Sequence, residues 1–178
     1  MKAPVTKILL GLCMALVSFS YAQTNAPSLK SIAQNTNESV DHKILFAAVK
    51  ATNLDDILEE SGPFTVFAPS DAAFQRFSQE KIEQLLNAND KTELKSLLTY
   101  HIVAGQLTAS KILRAMCQGN GKASFTTVQG KKLVAHLDGY DIVLTDPMGN
   151  TARITTADLN LKNGVVHEID SVILPTQM

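Results

Sequence analysis

Two cysteines among 178 residues leave little room for a disulfide framework. Neither charge sign dominates. Sixteen Lys and Arg stand against seventeen Asp and Glu, for a net charge of −1, so no global field draws the chain to nucleic acid or to anionic membrane. The one basic doublet, Lys131-Lys132, suits a solvated hairpin edge. No apolar run reaches the roughly 20 residues that a membrane-spanning helix needs. The four histidines, His42, His101, His136 and His167, never take the His-Glu-x-x-His spacing of a zinc protease, and they lack a third or fourth converging donor in sequence. A Gly-x-Ser-x-Gly elbow is missing, as is a complete phosphate loop. These absences point away from a metalloenzyme, an ordinary α/β hydrolase and a nucleotide-binding protein. No metal and no cofactor is expected. A Ser–His–Asp set drawn from distant residues stays open, since such triads have no fixed chain order.

What is present begins with an address. Lys2 and Lys7 precede the apolar run Ile8 to Phe19, and Ser20-Tyr21-Ala22 follows with small residues. That is the three-part pattern of a secretory signal over residues 1–22, cleaved before Gln23. Cleavage removes Cys13 and leaves a mildly acidic exported chain with Cys117 alone, unable to form an internal disulfide. Cys117 is then either a small buried apolar residue or a free thiol able to pair between chains. Residues 23–38 form a polar leader, with a short helix that joins it to the domain, and 176–178 form a tail. No apolar segment after Pro175 suggests a C-terminal anchor, so no stable membrane insertion is expected after cleavage.

From Ser39 onward the pattern is helical: Val40, Ile44, Leu45, Ala48 and Val49 share one face. Asn53 is placed to cap a second helix carrying Leu54, Ile57 and Leu58. Phe64–Ala68 is β-branched and aromatic, hence a strand, and Pro69 ends it. Ser70 and Asp71 open a helix bearing Phe74 and Phe77, and Ser78 opens another. Leu94, Leu97 and Leu98 form a stripe that continues into His101, and Thr108 caps the helix after it. Past Gly119-Asn120-Gly121, short runs alternate with turn chemistry: Gln129-Gly130, Asp138-Gly139 and the stretch Asp146 to Asn150. Helices first and antiparallel strands later predict one α+β domain over residues 39–175.

Three stretches resemble one family. Phe64-Thr-Val-Phe-Ala-Pro-Ser-Asp-Ala-Ala-Phe74 is similar to the first signature of fasciclin (FAS1) domains, Leu97-Leu-Thr-Tyr-His-Ile-Val103 to their tyrosine–histidine motif, and Asn163-Gly-Val-Val-His-Glu-Ile-Asp-Ser-Val-Ile-Leu-Pro175 to their closing signature. The resemblance covers about residues 28–175. It implies a wedge-shaped β-sandwich with a helical cluster along one side. The residues Thr65, Phe67, Pro69, Ser70, Asp71, Phe74, Asn163, Gly164, His167 and Asp170 meet demands of that fold: a strand turning sharply into a capped helix, and a turn followed by an alternating strand.

The resemblance also implies a function: adhesion, through a protein or glycan partner on a cell surface or matrix, by an exported, non-catalytic module that is periplasmic or secreted. The alternative is an exported protein that binds a polysaccharide or a small ligand, and a hydrolase comes after both. Two places carry the family's implied receptor contacts. One is Tyr100-His101 with its aliphatic neighbours. The other is an Asp–aliphatic pair before the closing signature, here Asp158-Leu159. The second departs from the best-known receptor-binding version, which has an acidic-proline pair before the Asp and Met after; here Thr156-Ala157 precede and Asn160 follows. The resemblance therefore implies adhesion, while this departure weighs against an integrin-type receptor. Tyr100 and His101 are either contact residues or buried at a helix–strand junction. Asp158 either meets a partner or caps a turn.

Overall fold

The computed structural model describes residues 30–175. The expected signal segment with Cys13, residues 23–29 of the leader and the tail 176–178 lie outside the described residues. The rest of the leader is built into the fold. Helix α1 (Ile32–Glu38) starts at Ser31, whose hydroxyl accepts from Gln34 N–H while the Gln34 side chain accepts from Ser31 N–H; both bonds satisfy donors that a helix start leaves open. Ile32 and Ala33 are buried in the core.

Helices α2 (Lys43–Ala51), α3 (Leu54–Glu60), α4 (Asp71–Asn87) and α5 (Thr92–Tyr100) complete a helical layer on one side. Helix α2 begins at Lys43, so Val40 is not on its apolar face but 73% exposed in the preceding turn. Asn53 does not cap α3 with its side chain. It takes a left-handed conformation (φ 53°) in the tight link from α2, which asparagine tolerates better than most residues. Ser78 breaks α4 with extended backbone angles, and its hydroxyl accepts from Lys81 N–H, so two helical pieces meet end to end there.

Strands β1 (Phe64–Pro69), β2 (Ile102–Ala104), β3 (Lys122–Thr126), β4 (Lys132–Asp138), β5 (Asp141–Thr145), β6 (Thr151–Leu161) and β7 (Gly164–Ile169) form one sheet in the order β2-β1-β7-β6-β5-β4-β3. Only β1 and β7 are parallel, with Phe64 opposite Gly164 and Pro69 opposite Ile169. The sheet curls until its edges touch: Val103 bridges Thr127, and Val128 N–H donates to Ile102 C=O at 2.7 Å. Alternation along the strands splits the core in two. Val66, Ala68 and Val166 face α1–α5. Phe67 and Ile169 face inward, where Leu133, Ala135, Leu144 and helix α6 (Ala109–Gln118) fill the curl. The result is the expected α+β class, a sandwich close to a barrel with helices along one side. Cys117 lies exposed on α6, so it is not the small buried residue that the sequence also allowed.

Candidate functional site

The parallel β1–β7 pair organises the polar residues of the signatures. Thr65 and His167 both reach the loop between β2 and α6. The Thr65 hydroxyl donates to Gly105 C=O (2.7 Å) and accepts from Leu107 N–H (2.8 Å). His167 donates from Nε2 to Leu107 C=O (2.7 Å) and accepts at Nδ1 from Asp158 N–H (3.2 Å). An N–H donor at Nδ1 fixes the tautomer with the proton on Nε2 and keeps the ring neutral. Burial lowers its pKa, against the opposing pull of the Leu107 carbonyl and the Asp158 carboxylate. The ring stacks on Phe67, centroids 5.6 Å apart.

Asp158 sits where β6 breaks register between Thr156 and Leu159, with φ 62°. Its carboxylate accepts from Ala109 N–H at 2.7 Å, the first residue of α6, where a negative charge also meets the positive end of the helix dipole. Thr108 caps the same helix, accepting from Lys111 N–H. Asp158 thus caps α6 through one carboxylate oxygen while its side chain stays half-buried.

Tyr100 and His101 are buried, at 0% and 2% exposure. The Tyr100 hydroxyl donates to Lys132 C=O (2.9 Å), and burial, then nearby Asp146, raises its pKa. His101 donates from Nδ1 to Leu97 C=O (2.9 Å) and accepts at Nε2 from Ile173 N–H (3.3 Å). Burial pulls its pKa down to about 4. Neither side chain has surface to offer a partner. They tie α5 to β4 and to the C-terminal stretch of the domain.

The remaining signature residues act on the chain itself. Ser70 caps its own helix, accepting from Ala73 N–H. Asp71 does not serve only the helix it opens: its carboxylate accepts from Ile44 N–H (2.9 Å) at the start of α2. Pro69 ends β1, and Phe74 is buried under the helical layer. Asn163 joins three elements, accepting from Ile32 N–H (2.9 Å) and donating to Leu58 C=O and Ser61 C=O, while its own carbonyl accepts from Phe64 N–H. Gly164 lies so close to β1 that a Cβ would sit 2.0 Å from Phe64 O. Asp170 accepts from Arg153 N–H, and its carbonyl from Arg76.

Sequence reasoning overlooked Asp146. It is 5% exposed and accepts from Met148 N–H, Asn150 N–H, the Asn150 side chain and Leu174 N–H. The turn stretch from Asp146 to Asn150 was the available signal; that it anchors Leu174 was not visible in it. Among the described residues no three His, Cys, Asp or Glu side chains converge as metal ligands, and no helix is long and apolar enough to cross a membrane.

Leu159 is different. It stands 43% exposed on β6, beside an open cleft of about 350 Å³ between the α1–α2 turn and the sheet. Leu45, Ala68 and Val166 line its apolar side, and Ser39, Asp41, His42 and Glu168 its polar side. Of these only Leu159 was singled out from the sequence as a contact residue. The cleft draws its other walls from segments far apart along the chain.

A family model described as Fasciclin domain matches residues 40–175. Among curated relatives, protein sll1483 of Synechocystis is 35% identical over 154 residues, covering 86% of this chain and 78% of that protein. The cell surface glycolipoprotein MPB83 of Mycobacterium bovis is 30% identical over 162 residues, covering 91% of this chain but 62% of MPB83. The solved FAS1 domain pair of the insect cell adhesion molecule fasciclin I superposes with a TM-score of 0.71 at 18% identity, over 83% of this chain and 51% of that one; at that identity the likeness is one of fold. With motifs, topology and family match in agreement, this chain belongs to the fasciclin domain family.

Proposed function

We propose that this chain is an exported adhesion or interaction module that meets a protein or glycan on a cell surface or matrix through its exterior and catalyses no reaction. The carrying observation is the contrast between Leu159 and the other signature side chains. Tyr100, His101, His167, Thr65 and Asp158 all direct their polar atoms at the backbone of their own chain, whereas Leu159 puts an aliphatic side chain into solvent at the rim of a cleft. Ring nitrogens already engaged with backbone groups are poor general bases. An exposed apolar side chain beside a concavity is a common anchor for a partner. The relatives named as cell surface and cell adhesion proteins support an adhesion-type module, and the signal pattern of residues 1–22 supports export to the periplasm or beyond.

The purified exported protein should coat a matrix or cell-surface extract. Leu159→Glu should lower that attachment by roughly tenfold, the loss of one interfacial anchor, with an unchanged melting temperature. No attachment of the wild type across several matrices would refute the reading. The second reading, binding of a polysaccharide or small ligand, draws on the same cleft, and a ligand-dependent rise in melting temperature would favour it.

A further inference from the structure

We infer that the cleft beside Leu159 receives the side chain of a lysine or arginine carried by the partner, an inference that rests on the adhesion reading and names the chemistry at its contact. The lining is amphipathic in the way such a side chain is. Leu159, Leu45 and Val166 offer an aliphatic wall to the methylene stem. Asp41 and Glu168 offer carboxylates to the cationic head, and neither forms an ion pair within the described residues. The third carboxylate of the lining, Glu38, is already engaged by Lys30. Among the described residues no Lys or Arg lines the cleft, so none of them neutralises Asp41 and Glu168 there.

His42 adds a polar group to the same wall. Its Nδ1 bonds Ser39 Oγ at 2.7 Å, while its Nε2 is enclosed without any partner. A buried polar atom left unpaired is costly. The Ser39 hydroxyl can donate to Nδ1 or accept from it, so Nε2 is left wanting an acceptor in one tautomer and a donor in the other. A bare metal ion would leave the aliphatic half of the cleft unused, and among the described residues no set of three ligating side chains exists there. Among the described residues of the lining a sugar ring would find no Phe, Tyr or Trp to stack against.

The test is amide chemical-shift mapping on the isotope-labelled exported protein. The probes are Nα-acetyl-lysine methylamide, its arginine, norleucine and glutamate counterparts, and cellobiose. The lysine or arginine probe should move resonances of residues 35–42 and 156–168. The double variant Asp41→Asn, Glu168→Gln should weaken that binding by roughly tenfold or more, as expected on removing the charged partners of a charge-assisted contact. Equal binding of norleucine, binding of cellobiose or glutamate instead, an unresponsive cleft, or a response unaltered in the double variant would each overturn the inference. The variant should also attach less to the matrix. If the wild type attaches and the variant attaches equally well, the inference falls and the adhesion reading stands. If the wild type attaches to nothing, the adhesion reading falls, while the probe titration still decides whether the cleft takes a basic side chain.

Discussion

Lowering the pH from about 7.5 to about 5 should cost this protein about 2 kcal/mol of stability through His101 alone. In the unfolded chain this imidazole binds a proton near 6.5, its ordinary value; in the folded protein burial holds the pKa down to about 4. Between those two values the unfolded state binds more protons than the folded one, so stability falls as the pH falls. The slope approaches 1.4 kcal/mol per pH unit in the middle of the window. Above the unfolded value the contribution is fully present, and below the folded value nothing more is lost. The cause is visible in the bonding. Both ring nitrogens are committed, one donating to Leu97 C=O and the other accepting from Ile173 N–H, and a second proton would displace the Ile173 bond inside the core. Urea unfolding across this pH range, on the wild type and on His101→Asn, measures the effect. Asparagine keeps a donor for Leu97 C=O and does not titrate, so its curve should be flatter by about 2 kcal/mol over the window, beneath a lower absolute stability. His167 is depressed in the same direction and stays in both proteins, so the comparison isolates His101. Parallel curves, or an imidazole NMR titration of folded His101 near 6.5, would refute the reasoning.

Two further predictions concern stability. Gly164→Ala should destabilise by ~3 kcal/mol or more, because the new methyl group would meet the Phe64 carbonyl at 2.0 Å and force β1 and β7 apart; a thermal melt reads this, and a near-neutral result would refute so close an approach of the two strands. Asp158→Ala should cost about 1 kcal/mol through loss of the α6 cap, so any fall in its matrix attachment should be matched by a fall in melting temperature, unlike that of Leu159→Glu.

Much of the fold was legible because local demands and the final structure agree. The β-branched run Phe64–Ala68, the Ser70 cap, the Thr108 cap and the helix break at Ser78 follow from propensity and capping chemistry within a few residues. Legibility failed where a residue serves a distant element. Asp71 is the first-turn acid of its own helix, and its carboxylate also accepts from Ile44 N–H at the start of α2, which the local pattern does not show. Asn53 looked like a cap and is a left-handed linker instead. A short helix joining the domain was expected within the polar leader, but that it docks on Asn163 and sends Ile32 into the core depends on residues 131 positions away.

By itself the sequence determined the α+β class, the strand–turn–helix at Pro69–Asp71 and the three signatures that carry the family, because periodicity, capping and turn chemistry act over short stretches of chain. Tertiary structure alone decided that Tyr100 and His101 are sealed inside, that Asp158 reaches the start of α6, and that Asp41, His42, Leu159 and Glu168 share one cleft. The physical reason is that exposure and charge environment depend on which surfaces the folded sheet and helices bring together, and the β6 register break and the α1–α2 turn meet only when the chain is closed.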